Sequence, residues 1–109
     1  MVEDSLDLAF SALADPTRRA VLSSLRKGDA RITDLAARLP MTFAAVSRHV
    51  GVLEAAGLIR REVRGREHWL SVRPDGFRQA ERWIGQQTTF WSERADALAE
   101  HLQRKKKRG

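Results

Sequence analysis

The side chains of this chain best suited to selective recognition are hydroxyl-bearing and basic, and they cluster between Thr42 and Gly51. At about 100° per residue, a helix over this stretch turns Val46, Val50 and Leu53 to one face. The opposite face then carries Ala44, Ser47, Arg48 and Gly51, with Thr42 and Phe43 at the tip. The guanidinium of Arg48 has paired donors that match guanine O6 and N7, and the hydroxyl of Ser47 or Thr42 can bond a base or a phosphate. Ala44 and Phe43 suit a thymine methyl, and small residues at 44, 45 and 51 let the backbone approach a groove closely. For Phe43 core or partial burial at the helix entry is the better fit than a base contact. His49 falls beside the buried stripe, which suits a structural or phosphate-contacting role better than base reading.

A second basic cluster follows. Arg64-Gly65-Arg66 separates two segments rich in β-formers, Leu58 to Val63 and Glu67 to Val72, with Arg60 and Arg61 at the root. Gly65 supplies the positive φ of a tight hairpin turn. Such a tip can lie along a phosphate backbone or enter a minor groove, and Glu62 and Glu67 are placed to pair across the strands with some of these arginines. Net charge is +6, of which Arg104 to Arg108 carry +5. Residues 41–73 hold six arginines against three glutamates, while residues 1–30 and 74–103 are mildly acidic. Charge concentrated in one central segment and one tail points to a polyanion rather than to general solubility.

The elements that must position these groups are legible in the apolar spacing. Leu6, Ala9, Phe10 and Leu13 form one helical stripe, and Asp15-Pro16 caps and starts a second helix lined by Ala20, Val21, Leu22 and Leu25 and ended by Gly28. Thr33 is placed to cap a short third helix with Leu35, Ala36 and Leu39, stopped by Pro40, and Thr42 to cap the fourth, which ends at Gly57. Thr33 to Gly57 thus has the spacing of a helix-turn-helix, whose second helix enters the DNA major groove. After the hairpin, a long helix runs from Pro74-Asp75 to about Gln103. Its stripe is Phe77, Ala80, Ile84, Trp91, Ala95, Leu98 and Leu102, widened by Trp83 and Phe90. About 75 residues precede this helix, too few to cover Phe90, Trp91, Leu98 and Leu102 as well, so these positions predict an interface with a second copy. The expected organisation is a single domain, 1–103, mainly α with a β-hairpin, and a basic disordered tail, 104–109.

Several classes of function are excluded. The chain has no cysteine, hence no disulfide, thiolate nucleophile or thiolate metal site. No Gly-rich phosphate loop, H-E-x-x-H or G-x-S-x-G occurs, and the three histidines lie apart, so neither an enzyme nor a cofactor is expected. Apolar stretches fall well below the ~18 residues of a membrane span. The acidic start, Met1 to Ser5, is unlike an export signal, so a cytoplasmic protein is expected. With 42% hydrophobic and 31% charged residues, the composition is that of a folded domain.

Three stretches carry a resemblance. Ala12-Leu13-Ala14-Asp15-Pro16-Thr17-Arg18-Arg19-Ala20-Val21-Leu22 resembles the N-terminal motif of ArsR-type transcriptional regulators. The run from Ala45 through Ser47-Arg48-His49 to Gly57-Leu58-Ile59 resembles their recognition helix and its exit. Arg64-Gly65-Arg66-Glu67-His68-Trp69-Leu70 resembles their wing, with Trp69 where tyrosine is more usual. The resemblance covers about residues 5 to 102. It implies a winged-helix homodimer built from the first and last helices, which adds Leu6 and Phe10 to the interface, and a repressor of its own or neighbouring genes acting on a double-stranded operator. The family's metal sensors use thiolates or histidines. Here the third helix has no Cys-x-Cys, and the last helix has only His101, with Asp96 and Glu100 nearby, so the chain resembles the non-metal subgroup and no metal site is expected. The effector is left open. A winged-helix module that binds only protein is the rival reading, and the +3 charge over residues 41–73 argues against it.

Overall fold

The computed structural model describes residues 5–108. Helix α1 (Ser5–Leu13) buries Ala9 and Ala12. Helix α2 (Pro16–Ser24) starts where expected: the Asp15 carboxylate accepts the backbone N–H of Thr17 at 2.7 Å and of Arg18 at 3.2 Å. The Arg18 N–H bond leads the causes that hold the Asp15 carboxyl below its ordinary range. Val21, Leu22 and Leu25 are buried, but Ala20 is exposed, one position off the inward stripe. A single 3₁₀ turn, Leu25–Lys27, leads to Gly28.

A short strand that periodicity does not reveal comes next. β1 (Ala30–Arg31) runs straight into α3 (Ile32–Arg38), so Arg31 rather than Thr33 occupies the cap position, and Thr33 lies inside the first turn. The Arg31 guanidinium instead grips Asp34 at 2.9 and 3.2 Å. Helix α4 (Phe43–Ala55) is capped by Thr42, whose hydroxyl accepts the Ala45 N–H at 3.1 Å, and it buries Val46, Val50 and Leu53. Strands β2 (Ile59–Arg64) and β3 (Glu67–Val72) pair antiparallel from Ile59↔Val72 to Arg64↔Glu67. Gly65 turns them with a φ of 62°, a conformation costly for other residues. β1 pairs with the far side of β3, giving a three-stranded antiparallel sheet in the order β1-β3-β2.

The core is one cluster in which Val21, Leu35, Val46, Val50, Leu53, Leu58, Ile59 and Leu70 are all but inaccessible. It joins both helices of the helix-turn-helix to the root of the hairpin, so α4 and the wing are held as a unit.

Helix α5 (Pro74–Arg108) is 35 residues, or about 52 Å, long. Its first turn is pressed onto the α4 exit: a Cβ at Gly76 would stand 2.7 Å from Leu58 Cδ2 and 2.9 Å from the Gly57 carbonyl. α1 packs alongside, with Phe10 edge-on to Trp83 at 5.7 Å and the Ser5 hydroxyl donating to Gln79 Oε1 at 2.9 Å. Beyond Gln87 every described residue is exposed. The helix does not end near Gln103 in a disordered tail, as expected, but continues through Arg108. Lysine and arginine are good helix formers, no Gly or Pro intervenes, and cations at a helix C-terminus oppose its negative dipole end.

Candidate nucleic-acid interface

The inward stripe of α4 is consumed by the core, which leaves its N-terminal outward face as a rigid platform. Thr42, Phe43, Ala44 and Arg48 are exposed, while Ser47 and Gly51 are partly covered. Arg48 has no ion-pair partner among the described residues, so its guanidinium is available to a ligand. Phe43 is 52% exposed, more open than the expected core or partial burial. The core entry is already filled by Leu39 and Met41, and Phe43, immediately after the cap, projects from the first turn. His49 is half-buried as expected beside the stripe. Its Nδ1 is enclosed without a hydrogen-bond partner. It is not among the exposed residues of the outward face.

The wing arginines divide into two kinds. Arg61 shares the inward-facing side of β2 with Ile59 and is committed: it meets Glu54 of α4 at 3.4 Å and His68 Nδ1 at 3.2 Å. Arg64 bonds Glu62 at 3.2 Å and lies 5.0 Å over the Trp69 ring, which fixes its direction while leaving it exposed. The same hydrogen bond holds Glu62 below its ordinary range. Arg60 and Arg66 are exposed with no ion pair among the described residues. The expected cross-strand pairs are not the ones formed. Glu62 pairs along its own strand, and Glu67 meets Arg31 of β1 at 3.5 Å, because Arg64 turns diagonally onto Trp69 rather than straight across to Glu67.

Two braces were invisible in the sequence. Glu54–Arg61 links α4 to the wing, and Arg31, bonded to both Asp34 and Glu67, links α3 to it. Both depend on strand register, and β1 gave no periodic signal. The candidate interface is thus an exposed helix tip with one unpaired arginine among the described residues, beside an exposed hairpin tip. Among the described residues, no three His, Asp or Glu side chains gather as a metal site, and no helix is long and apolar enough to cross a membrane.

A profile of the bacterial regulatory protein arsR family matches residues 15–61, from the α2 cap to the wing root. The HTH-type transcriptional regulator Rv2034 of Mycobacterium tuberculosis is 39% identical over 66% of this chain and 67% of its own length. The chain belongs to the ArsR family. This ArsR-family regulator is also 28% identical to the transcriptional repressor SdpR of Bacillus subtilis, over 69% of the chain and 83% of that protein. Among solved structures, an ArsR family transcriptional regulator superposes with a TM-score of 0.77 at 36% identity, covering 82% of this chain and 98% of that one. The homodimeric winged helix-turn-helix domain of Mb0332 from Mycobacterium bovis shares the fold, with a TM-score of 0.61 at 19% identity over 85% of this chain and 80% of that one. The chain is accordingly a transcriptional regulator with a winged helix-turn-helix DNA-binding domain, and not an enzyme.

Proposed function

We propose that this ArsR-family protein is a homodimeric repressor that binds an inverted-repeat operator, reading sequence with α4 and gripping the backbone with the wing. The observation that carries the proposal is the free Arg48 on the exposed tip of a helix whose other face is locked in the core. There a guanidinium can present both donors to a guanine edge, with Thr42, Ser47 and Ala44 beside it and Phe43 able to meet a thymine methyl. Arg60, Arg64 and Arg66 around Gly65 supply phosphate or minor-groove contacts. Arg61 serves by bracing the wing.

Dimerisation is proposed through α1 and α5. Leu6 and Phe10 are half-buried beside α5, whereas Ile84, Phe90, Trp91, Leu98 and Leu102 are 49–59% exposed. A two-fold dimer would set two copies of α4 about one helical turn of DNA apart, which is what an inverted repeat requires. The repressor role rests on the likeness to SdpR. The test is binding to mixed-sequence duplex across a salt series. Binding that falls steeply with salt supports the proposal, whereas no binding at low salt would favour a protein-interaction module.

A further inference from the structure

The C-terminal turns of α5 hold a charge that the fold does not use. Residues 89–100 contain Glu93, Asp96 and Glu100 against the single base Arg94, and then the sign reverses: from Arg104 to Arg108 every residue is a cation. All of these cations are exposed, and among the described residues only Arg104 has an ion pair, to Glu100 at 3.4 Å. Helix geometry sets like charges beside one another, Arg104 near Lys107 and Arg108, and Lys105 near Arg108, and such pairs repel. The helix dipole offsets part of that repulsion, and a polyanion would relieve the rest. The cations also surround the helix instead of lining one side. His101, Arg104, Lys105 and Arg108 border one shallow groove of its surface, and at about 100° per residue Lys106 and Lys107 fall on the other side.

We infer that residues 104–108 form a second, sequence-independent site for duplex DNA, engaging a segment other than the one held by α4 and the wing of the same chain. The inference rests on the DNA binding proposed above and does not need the dimer. Charge on all sides of a helix suits a duplex. A helix about 10–12 Å across fits the major groove, about 12 Å wide, between two walls of phosphates. Cations on both sides then meet both walls, whereas a flat anionic surface would use one side and leave the other in water. Lys105, Lys106 and Lys107 are point charges without the paired donors of a guanidinium, so they hold phosphates and do not read bases. Separation makes the segment a different one. α5 begins against the exit of α4, the end remote from its reading tip, and beyond Gln87 every described residue is exposed. From Gln87 to Arg108 the helix rises about 32 Å, which sets the cations at the far end of a chain 74 Å long.

An immobilised mixed-sequence duplex is loaded with the full chain at low salt, washed, and offered a second, labelled duplex in solution. The unaltered chain should retain the labelled duplex, whatever its sequence, and release it as salt rises. Lys105→Gln, Lys106→Gln and Lys107→Gln combined remove three charges and keep good helix formers in place. This variant should still load but retain about tenfold less labelled duplex, with a salt slope shallower by up to about 0.9 for each lysine removed. Equal retention by the variant and the unaltered chain would overturn the second site and leave the proposed function standing. Two other results would also overturn it. Loss of binding to phosphatidylglycerol vesicles with duplex retention unchanged would assign the cations to a membrane surface. A change in sedimentation alone would assign them to contact between copies. An unaltered chain that never loads at low salt would instead remove the proposed DNA binding, and the second site with it.

Discussion

Val46, Val50 and Leu53 of α4 and Ile84, Trp91 and Leu98 of α5 are stripes of similar chemistry on two helices of one chain. The first is sealed in the core, while the second stands about half exposed. The difference comes from length and neighbours rather than from pattern. α4 spans thirteen residues and is boxed in by α2, α3 and β2, so its apolar face is spent on folding and its polar tip is free to read another molecule. α5 runs 35 residues from a body that covers only its first turns, so most of its apolar face is unspent. An amphipathic stripe shows that something must be covered. Whether the cover is the same chain is decided by how far the helix outruns its neighbours.

Substitutions in the two stripes should therefore fail differently. Leu53→Ala opens a cavity in a closed core and should cost about 2–5 kcal/mol of folding stability, read as a lowered urea midpoint. Trp91→Glu should leave the monomer's unfolding nearly unchanged and weaken the dimer by roughly a hundredfold or more, read by sedimentation, because the charge has to be desolvated on assembly. If Trp91→Glu unfolded the protein instead, the exposed stripe would belong to the fold and the comparison would collapse.

The outward face of α4 sharpens the contrast further. Arg48→Ala should cost about 1–3 kcal/mol on the preferred site and little on scrambled duplex. Arg64→Ala or Arg66→Ala should weaken both duplexes more evenly, because these side chains would hold phosphates. Equal losses for Arg48→Ala on both duplexes would remove the reading role from the helix.

Acid supplies the mildest probe. The carboxylates held below their ordinary range, Asp15, Asp34 and Glu62, all lie in the body and none on α5. A depressed folded-state pKa contributes stability that is present above the unfolded value, near 4, and is lost as pH falls through the lower folded value. Thermal stability should be flat from pH 7 to 5 and decline below about pH 4. Asp15→Asn, which keeps a capping oxygen and cannot ionise, should flatten part of that decline. A decline unaltered by this change would assign the acid loss to other groups.

Much of this was readable from residue order, and the misses share a cause. The Asp15 and Thr42 caps, the α4 stripe, the Gly65 turn and the start of α5 rest on local spacing, and the structure reproduces them. β1 is two residues long and exists only because β3 offers it an edge. Phe43 was misplaced because a lone aromatic at a helix entry has no periodicity, and its burial depends on whether Leu39 and Met41 already fill the space. Arg61, expected at the wing root as a DNA contact, turns inward to Glu54 and His68 instead, because its direction follows from strand register. A charge run such as the basic end of α5 suggests a disordered tail, whereas these residues simply continue a helix with nothing to stop it.

If α4 reads the half-site while α5 sets the symmetry, one selection registers both. Duplexes bound by the full chain are recovered from a random library and sequenced. The enriched motif should be an inverted repeat whose half-site centres lie about 10–11 base pairs, one helical turn, apart. The same selection with Trp91→Glu should lose the paired half-sites. A single unpaired motif for the unaltered chain, or no enrichment at all, would contradict this division of roles between α4 and α5.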